Sequence, residues 1–168
     1  GFDAAFIGTG AGLPKFMHIE GENLIGVFSA NEYLTRSNLM KAYDREHADT
    51  PLYDAKRVAV FGGGNVAMDV ARSAIRLGAK TVKIAYRRRK VDMTALAEEV
   101  EGAVADGCEI LELNAPTKIE KKEDGSVAAI WVQPQIVGEV KWGRPAPVNA
   151  NSPEVRLSCD RVLVAIGQ

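Results

Sequence analysis

The sequence predicts an α/β fold, with a central parallel sheet that carries helices on one side and an antiparallel β-meander on the other. Three observations lead there. From Arg57 onward, continuous apolar runs of the kind that suit doubly buried strands alternate with runs of helical period. The first such strand meets its helix at the triple glycine Gly62-Gly63-Gly64. After Pro116 the texture changes to short strands separated by turn residues. With 168 residues, 46% of them hydrophobic, and a net charge of −1, the composition suits one soluble domain and excludes a disordered or polybasic chain.

Taken in order, residues 2–8 form an apolar run that reads as a strand, broken by the glycine-rich turn Gly8-Thr9-Gly10-Ala11-Gly12. Ser29-Ala30-Asn31-Glu32 matches a capping box, in which the Ser29 hydroxyl and the Glu32 carboxylate satisfy free backbone N–H groups, and predicts a helix over 31–43. The polar stretch 44–56, which contains Pro51, reads as a connector. Val58-Ala59-Val60-Phe61 is a fully apolar strand. Val66, Ala67, Val70, Ala71, Ala74 and Ile75 then recur at helical spacing until Gly78 closes the helix. Residues 81–86 read as a second strand, 94–105 as a second helix ended by Gly107, and 109–113 as a third strand. Strand, helix, strand, helix implies parallel pairing through right-handed crossovers. Short strands at 117–121 and 127–133 flank the turn Glu123-Asp124-Gly125, and a proline-rich excursion passes through Trp142, Pro145 and Pro147. Residues 161–166 form a last buried strand that ends in Gly167.

Several functions find no support. No apolar run approaches the roughly 18 residues a membrane span requires, and the N-terminus lacks the basic and apolar regions of a signal peptide. Cys108 and Cys159 stand far apart and in no CxxC pair, so a disulfide framework, a zinc ribbon and a dithiol centre are unsupported; a cytoplasmic location is the expectation. His18 and His47 have no partners at metal-ligand spacing. Glu98 and Glu99 are adjacent, face different sides of their helix and suit no acid/base pair. Trp131 and Trp142 are expected to pack the meander, with a partner-facing role open for Trp142. Both chain ends look cut, in or just after a strand, so a segment of a longer protein is expected.

The chemistry lies at the glycines. Gly62-Gly63-Gly64-Asn65-Val66-Ala67 satisfies G-x-G-x-x-G/A between an apolar strand and a periodic helix, the context of a Rossmann-like FAD/NAD(P)-binding domain. Gly62 turns the chain out of the strand, Gly64 lets a pyrophosphate approach the backbone, and Ala67 keeps helix and strand close. The helix N-terminus turns its unpaired N–H groups toward the phosphates. The bland alternative is a glycine turn that only packs a helix on a sheet.

NAD sites place a carboxylate about 20 residues after the glycines to accept from the ribose 2′-OH. Here no carboxylate occurs between Asp69 and Asp92, and the second strand ends in Tyr86-Arg87-Arg88-Arg89-Lys90. Guanidinium groups grip a phosphate dianion, so the site favours NADPH over NADH. A solvated basic turn is the bland alternative. Nucleic acid fits less well, since the cluster is short and the next helix carries Glu98, Glu99 and Glu101. An S-adenosylmethionine loop would call for an acidic residue where the arginines stand.

Gly8-Thr9-Gly10-Ala11, the glycine loop with Met68-Asp69, Arg76-Leu77-Gly78-Ala79, Tyr86-Arg87-Arg88 and Ala165-Ile166-Gly167-Gln168 together resemble the small (β) subunit of NADPH-dependent glutamate synthase. Its kin, the large subunit of NADH-dependent ferredoxin:NADP oxidoreductase and the reductase part of dihydropyrimidine dehydrogenase, are similar. The resemblance covers nearly the whole chain. It implies a flavoprotein oxidoreductase in which an NADPH domain, inserted into an FAD domain, hands hydride to the flavin, with iron–sulfur centres onward in the same or a partner chain.

Residue by residue, it implies that Gly62, Gly64, Asn65, Val66 and Ala67, with Gly63 in the same loop, hold the pyrophosphate. Arg87 and Arg88 would hold the 2′-phosphate, and Gly167 would lie under the nicotinamide side. Residues 1–30 would be the end strand and exit segment of the FAD domain, 31–56 a helical connector and 57–168 the NADPH-binding domain. The expected partners are the rest of that FAD domain and an iron–sulfur or large catalytic subunit, with neither nucleic acid nor membrane. The FAD glycine motif would lie upstream of residue 1, so the chain alone is expected to bind NADPH without turnover, and no catalytic residue is assigned. Many relatives have proline where Thr94 follows Met93. A non-catalytic nucleotide-sensing module is the rival reading.

Overall fold

The computed structural model describes residues 2–8, 12–50 and 52–167. In chain order the elements are β1 (Val27–Ser29), α1 (Ala30–Leu34), a π-helical turn (Thr35–Leu39), β2 (Arg57–Phe61), α2 (Asn65–Arg76), β3 (Thr81–Tyr86), a 3-10 turn (Lys90–Asp92), α3 (Ala97–Ala105), β4 (Glu109–Glu112), β5 (Asn114–Lys121), β6 (Val127–Lys141), β7 (Arg144–Asn149), β8 (Val155–Ser158) and β9 (Arg161–Val164). Five strands form a parallel sheet in the order β1-β9-β2-β3-β4. The long strand β6 pairs antiparallel with β5, β7 and β8.

The apolar runs follow from burial on both faces. Along β2, Val58 and Val60 pack toward Ala67, Met68, Val70, Ala71 and Ala74 of α2. Ala59 and Phe61 face the other way, into a second core with Ile119, Val127, Ile130 and Val132 of the meander. Strand β9 does the same, with Leu163 in the first core and Val162 and Val164 in the second. The sheet is therefore a middle layer, and each fully buried aliphatic side chain contributes about 1.5–3 kcal/mol. The helices are tied to each other by Arg72, whose Nε donates to Asp106 at 2.9 Å and whose Nη1 donates to Glu99 at 3.2 Å. The Arg72 hydrogen bond holds the Asp106 carboxyl below its usual range.

Several expectations are corrected. Residues 2–8 are not a strand, and Phe2, Phe6 and Ile7 lie in the open. An apolar run becomes a strand only against a partner edge, and residues 2–8 pair with none of the described strands. Residues 9–11 of the adjoining turn lie outside the described residues. The single helix expected over 31–43 is instead α1 and the π-helical turn, ending at Leu39. The Ser29 hydroxyl caps α1 by accepting from the Glu32 amide at 3.2 Å, but the Glu32 carboxylate turns to Arg36. Ser37 then donates its hydroxyl to the Leu34 carbonyl, competing with the helical ladder, and Met40 N reaches back to Thr35 O. Helix α3 starts at Ala97, three residues later than expected, and β9 stops at Val164.

The proline-rich excursion is ordered as a strand. Strand β6 runs to Lys141, eight residues further than expected, and Pro145 and Pro147 sit in β7, an edge strand that tolerates missing N–H donors. Strand β1 was not anticipated, being three residues long, and it pairs with β9. Arg161 secures this corner. Its buried guanidinium sits 5.3 Å from the Phe28 ring and 5.6 Å from the Tyr33 ring, and it donates to the Tyr53 carbonyl of the connector at 2.6 Å.

Candidate functional site

The carboxyl ends of β2, β3 and β9, together with the starts of β5 and β7, line a cleft of about 440 Å³. It opens where the chain order reverses across β9, β2 and β3, the switch point at which open parallel sheets place their ligands.

The glycine loop forms one wall. Gly62 has a φ of +150° and lies so close to the Ala165 carbonyl that no Cβ fits between them. At Gly63 a Cβ would stand 2.6 Å from the Tyr86 ring, so this glycine makes room for an aromatic side chain. Its carbonyl accepts from Thr94 N at 2.9 Å, Ala95 N at 3.0 Å and the Thr94 hydroxyl at 3.3 Å. A proline at position 94 would lose the first and third of these bonds, which ties the Thr94 departure to the glycine loop as well as to a helix start.

Gly64 caps α2 in an extended conformation, with φ −101° and ψ 176°, which any residue can adopt. Ala67 N donates to Gly64 O at 3.0 Å, while the amides of Asn65 and Val66 have no acceptor within the helix. Those two amides are the groups an anion would meet. The side chains of Val66 and Ala67 pack into the core, so both face a ligand only through backbone. The Asn65 side chain is engaged as well: its Oδ1 accepts from Leu96 N at 2.9 Å, at the entry to α3.

The arginines form the second wall, and they are not equivalent. Arg87 is exposed and has no hydrogen-bond or ion-pair partner among the described residues. Arg88 is half-buried, and its Nε donates to the Pro145 carbonyl at 2.9 Å, leaving both terminal nitrogens available. Arg89 is held by the Asp92 carboxylate through Nε at 2.8 Å and Nη2 at 3.0 Å. That pair lowers the Asp92 pKa and raises that of Arg89, and Arg89 does not line the cleft. Lys90 also lies off the cleft, its amide donating to Glu112 Oε2 at 2.6 Å.

Two lining residues had no place in the sequence expectation. Tyr86 lays its ring on Gly63 and donates its hydroxyl to the Asp92 carbonyl at 3.0 Å. Arg144 enters from β7, and its Nη2 donates to the Tyr86 hydroxyl at 3.1 Å and to the Asp92 carbonyl. It stands 57 residues after Arg87, in a proline-rich stretch with no local signal of a ligand. Gly167 lines the opposite end of the cleft with a φ of +69°, its backbone against the Lys15 side chain. Among the described residues that line the cleft there is no aspartate or glutamate, while Arg87, Arg88 and Arg144 are all there.

Burial pushes the Cys108 thiol up to about 11 and the Cys159 thiol up to about 12, so neither is a nucleophile. Among the described residues no helix is long and apolar enough to cross a membrane.

This fold, with a glycine loop between its first doubly buried strand and a helix, defines a Rossmann-like α/β domain of the FAD/NAD(P)-binding class. Its architecture matches a Mycobacterium tuberculosis FprA structure in complex with NADPH, with a TM-score of 0.72 at 19% identity over 95% of this chain and 48% of that one. A thioredoxin reductase from T. acidophilum gives a TM-score of 0.63 at 17% identity over 92% of this chain and 41% of the other. The pyridine nucleotide-disulphide oxidoreductase family is matched over residues 1–168, and the chain belongs to it.

Similar sequences include the NADP(+)-dependent formate dehydrogenase subunit beta of Moorella thermoacetica, 38% identical over 99% of this chain and 23% of that protein. The putative glutamate synthase [NADPH] small chain of Cereibacter sphaeroides is 36% identical over 95% of this chain and 37% of its own length. The glutamate synthase [NADPH] small chain of Escherichia coli (strain K12) is 33% identical over 99% and 36%. The chain thus spans between about a quarter and two fifths of these relatives.

Proposed function

We propose that this chain is the NADPH-binding part of an FAD-dependent oxidoreductase of the glutamate synthase small-subunit type, which delivers hydride from NADPH to FAD and electrons onward to iron–sulfur centres. The observation that carries the reading is the charge of the cleft: among the described residues, three guanidinium groups and no carboxylate line one small volume beside a glycine loop. Cations held together in a partly buried site call for a polyanion, and a phosphorylated dinucleotide supplies charge at both walls.

The Asn65 and Val66 amides would receive the pyrophosphate at the α2 N-terminus, with Gly62, Gly63 and Gly64 giving the backbone its close approach. Arg87 and Arg88 would hold the 2′-phosphate, and Gly167 would lie under the nicotinamide side. Bound NADPH would supply a hydride, and the residues of this chain would contribute binding and orientation rather than acid–base chemistry. The exposed apolar segment that includes Phe2, Phe6 and Ile7 would join the FAD domain of the whole protein, whose other partner would be an iron–sulfur or large catalytic subunit in the cytoplasm. Titration with NADPH and NADH side by side tests the reading: NADPH should bind at least tenfold tighter, and equal affinities would defeat it.

A further inference from the structure

The β6–β7 hairpin adds Arg144 to the charge of the cleft and closes one side of it, yet no ligand contact is assigned to it above. We propose that Arg144 is a third ligand of the 2′-phosphate and so helps decide NADPH over NADH; the inference rests on the nucleotide reading given above.

Arg144 lines the same cleft as Arg87 and Arg88 although it belongs to a different layer of the fold. One nitrogen, Nη2, is fixed by two neutral oxygens, the Tyr86 hydroxyl and the Asp92 carbonyl. Its Nε and Nη1 have no acceptor among the described residues. Arg89 shows the contrasting case, since the Asp92 carboxylate takes both its Nε and its Nη2 and cancels its charge. Arg144 keeps two further donors, Nε and Nη1, and shares the Asp92 carboxylate with Arg89, both of which lower its pKa, so this half-buried cation is only partly balanced. A phosphate dianion in the cleft would complete the balance by accepting from Nε or Nη1.

The next residue reinforces the geometry. The Pro145 carbonyl accepts from Arg88 Nε at 2.9 Å, so the strand that supplies Arg144 also aims Arg88. The hairpin thereby becomes a specificity wall, joined to the end of β3 at two neighbouring residues. If Arg144 were only a strut tying the hairpin to Tyr86, its removal would affect all nucleotides alike.

The test is calorimetric titration of wild type, Arg144→Met and Arg144→Lys with NADPH, NADH, 2′-AMP and 5′-AMP. Arg144→Met should weaken NADPH and 2′-AMP by about tenfold or more, the scale of one charged hydrogen-bonded contact, and leave NADH and 5′-AMP within about twofold. Arg144→Lys keeps the charge but cannot both hold the Tyr86 and Asp92 oxygens and donate to a phosphate, and should fall between, at about threefold. Equal losses for all four ligands, or none, would overturn the inference. Should Arg144→Met not fold, Arg144→Lys decides, and an unchanged NADPH to NADH ratio in that variant overturns it equally. A wild-type protein that does not distinguish NADPH from NADH would remove the nucleotide reading itself, whereas discrimination that survives both substitutions would remove only the role of Arg144.

Discussion

Replacing Arg87 by alanine isolates the proposed 2′-phosphate contact with the least disturbance to the free protein. Arg87 is exposed and unpartnered among the described residues, so its removal orphans no acceptor, and any effect belongs to binding. A hydrogen bond to a charged group contributes about 1.5–3 kcal/mol, and solvent screening at an exposed position favours the lower end. Arg87→Ala should therefore weaken NADPH by about 1.5 kcal/mol, or roughly tenfold, and leave NADH nearly unchanged. Adding Arg88→Ala removes a half-buried guanidinium and also frees the Pro145 carbonyl it holds. Because both groups would share one phosphate, the double variant should lose less than twice the single effect would suggest if each acted alone at full strength. The difference between NADPH and NADH should also shrink as ionic strength rises, since the contact is partly exposed. Titration of both coenzymes at two salt concentrations reads all of this. Equal losses for NADPH and NADH would refute the assignment, because only the 2′-phosphate distinguishes them.

Gly64→Val should abolish binding of either coenzyme while far-UV circular dichroism stays unchanged, because the extended backbone at Gly64 suits valine but its side chain would stand where the pyrophosphate approaches; undiminished affinity in calorimetry would contradict this. Cys108 and Cys159, with thiols raised to about 11 and 12, should resist alkylation at pH 8 in the native protein and react at once in denaturant. The Arg156 and Trp131 hydrogen bonds hold Glu120 down to about 2, so its stabilising effect is fully present above the ordinary glutamate range and fades as pH falls from about 4.5 toward 2. Glu120→Gln should flatten that acid limb in denaturant titrations, and an unchanged pH profile would show that the pair contributes nothing.

Most of the parallel sheet was legible because its signals are local. Burial on both faces makes β2, β3 and β9 continuous apolar runs, and glycines at 62–64 and 78 mark where α2 begins and ends. The N-terminal apolar run misled for a physical reason, since apolarity states a need for burial and not the partner that provides it. The meander was recognised, but not its reach: prolines in 145–147 read as breakers when they occupy an edge strand that needs no donors there. At the cleft, the glycines and Arg87 and Arg88 could be named from spacing, whereas Arg144 could not. It arrives on the β6–β7 hairpin, whose contacts with Tyr86 and Asp92 lie 58 and 52 residues away in sequence and leave no periodic trace at position 144.

The structure also separates the roles that one run of charges conceals. In sequence, Arg87, Arg88, Arg89 and Lys90 are four neighbouring cations. In the fold, Asp92 neutralises Arg89, Glu112 caps the Lys90 amide, and the hairpin orients Arg88, so charge is concentrated on one side of the strand end. The glycine loop is fixed in the same manner. Gly63 O accepts from Thr94 and Ala95, and Asn65 Oδ1 accepts from Leu96, which staples the start of α2 to the approach to α3. A loop held in this way loses little conformational freedom when an anion meets its free amides, and affinity rises by the ordering cost thereby avoided. Asn65 would accordingly act on a ligand through two routes, its backbone amide at the helix end and its side chain as a staple, and the second accounts for an amide side chain at a position where the dinucleotide motif itself makes no demand.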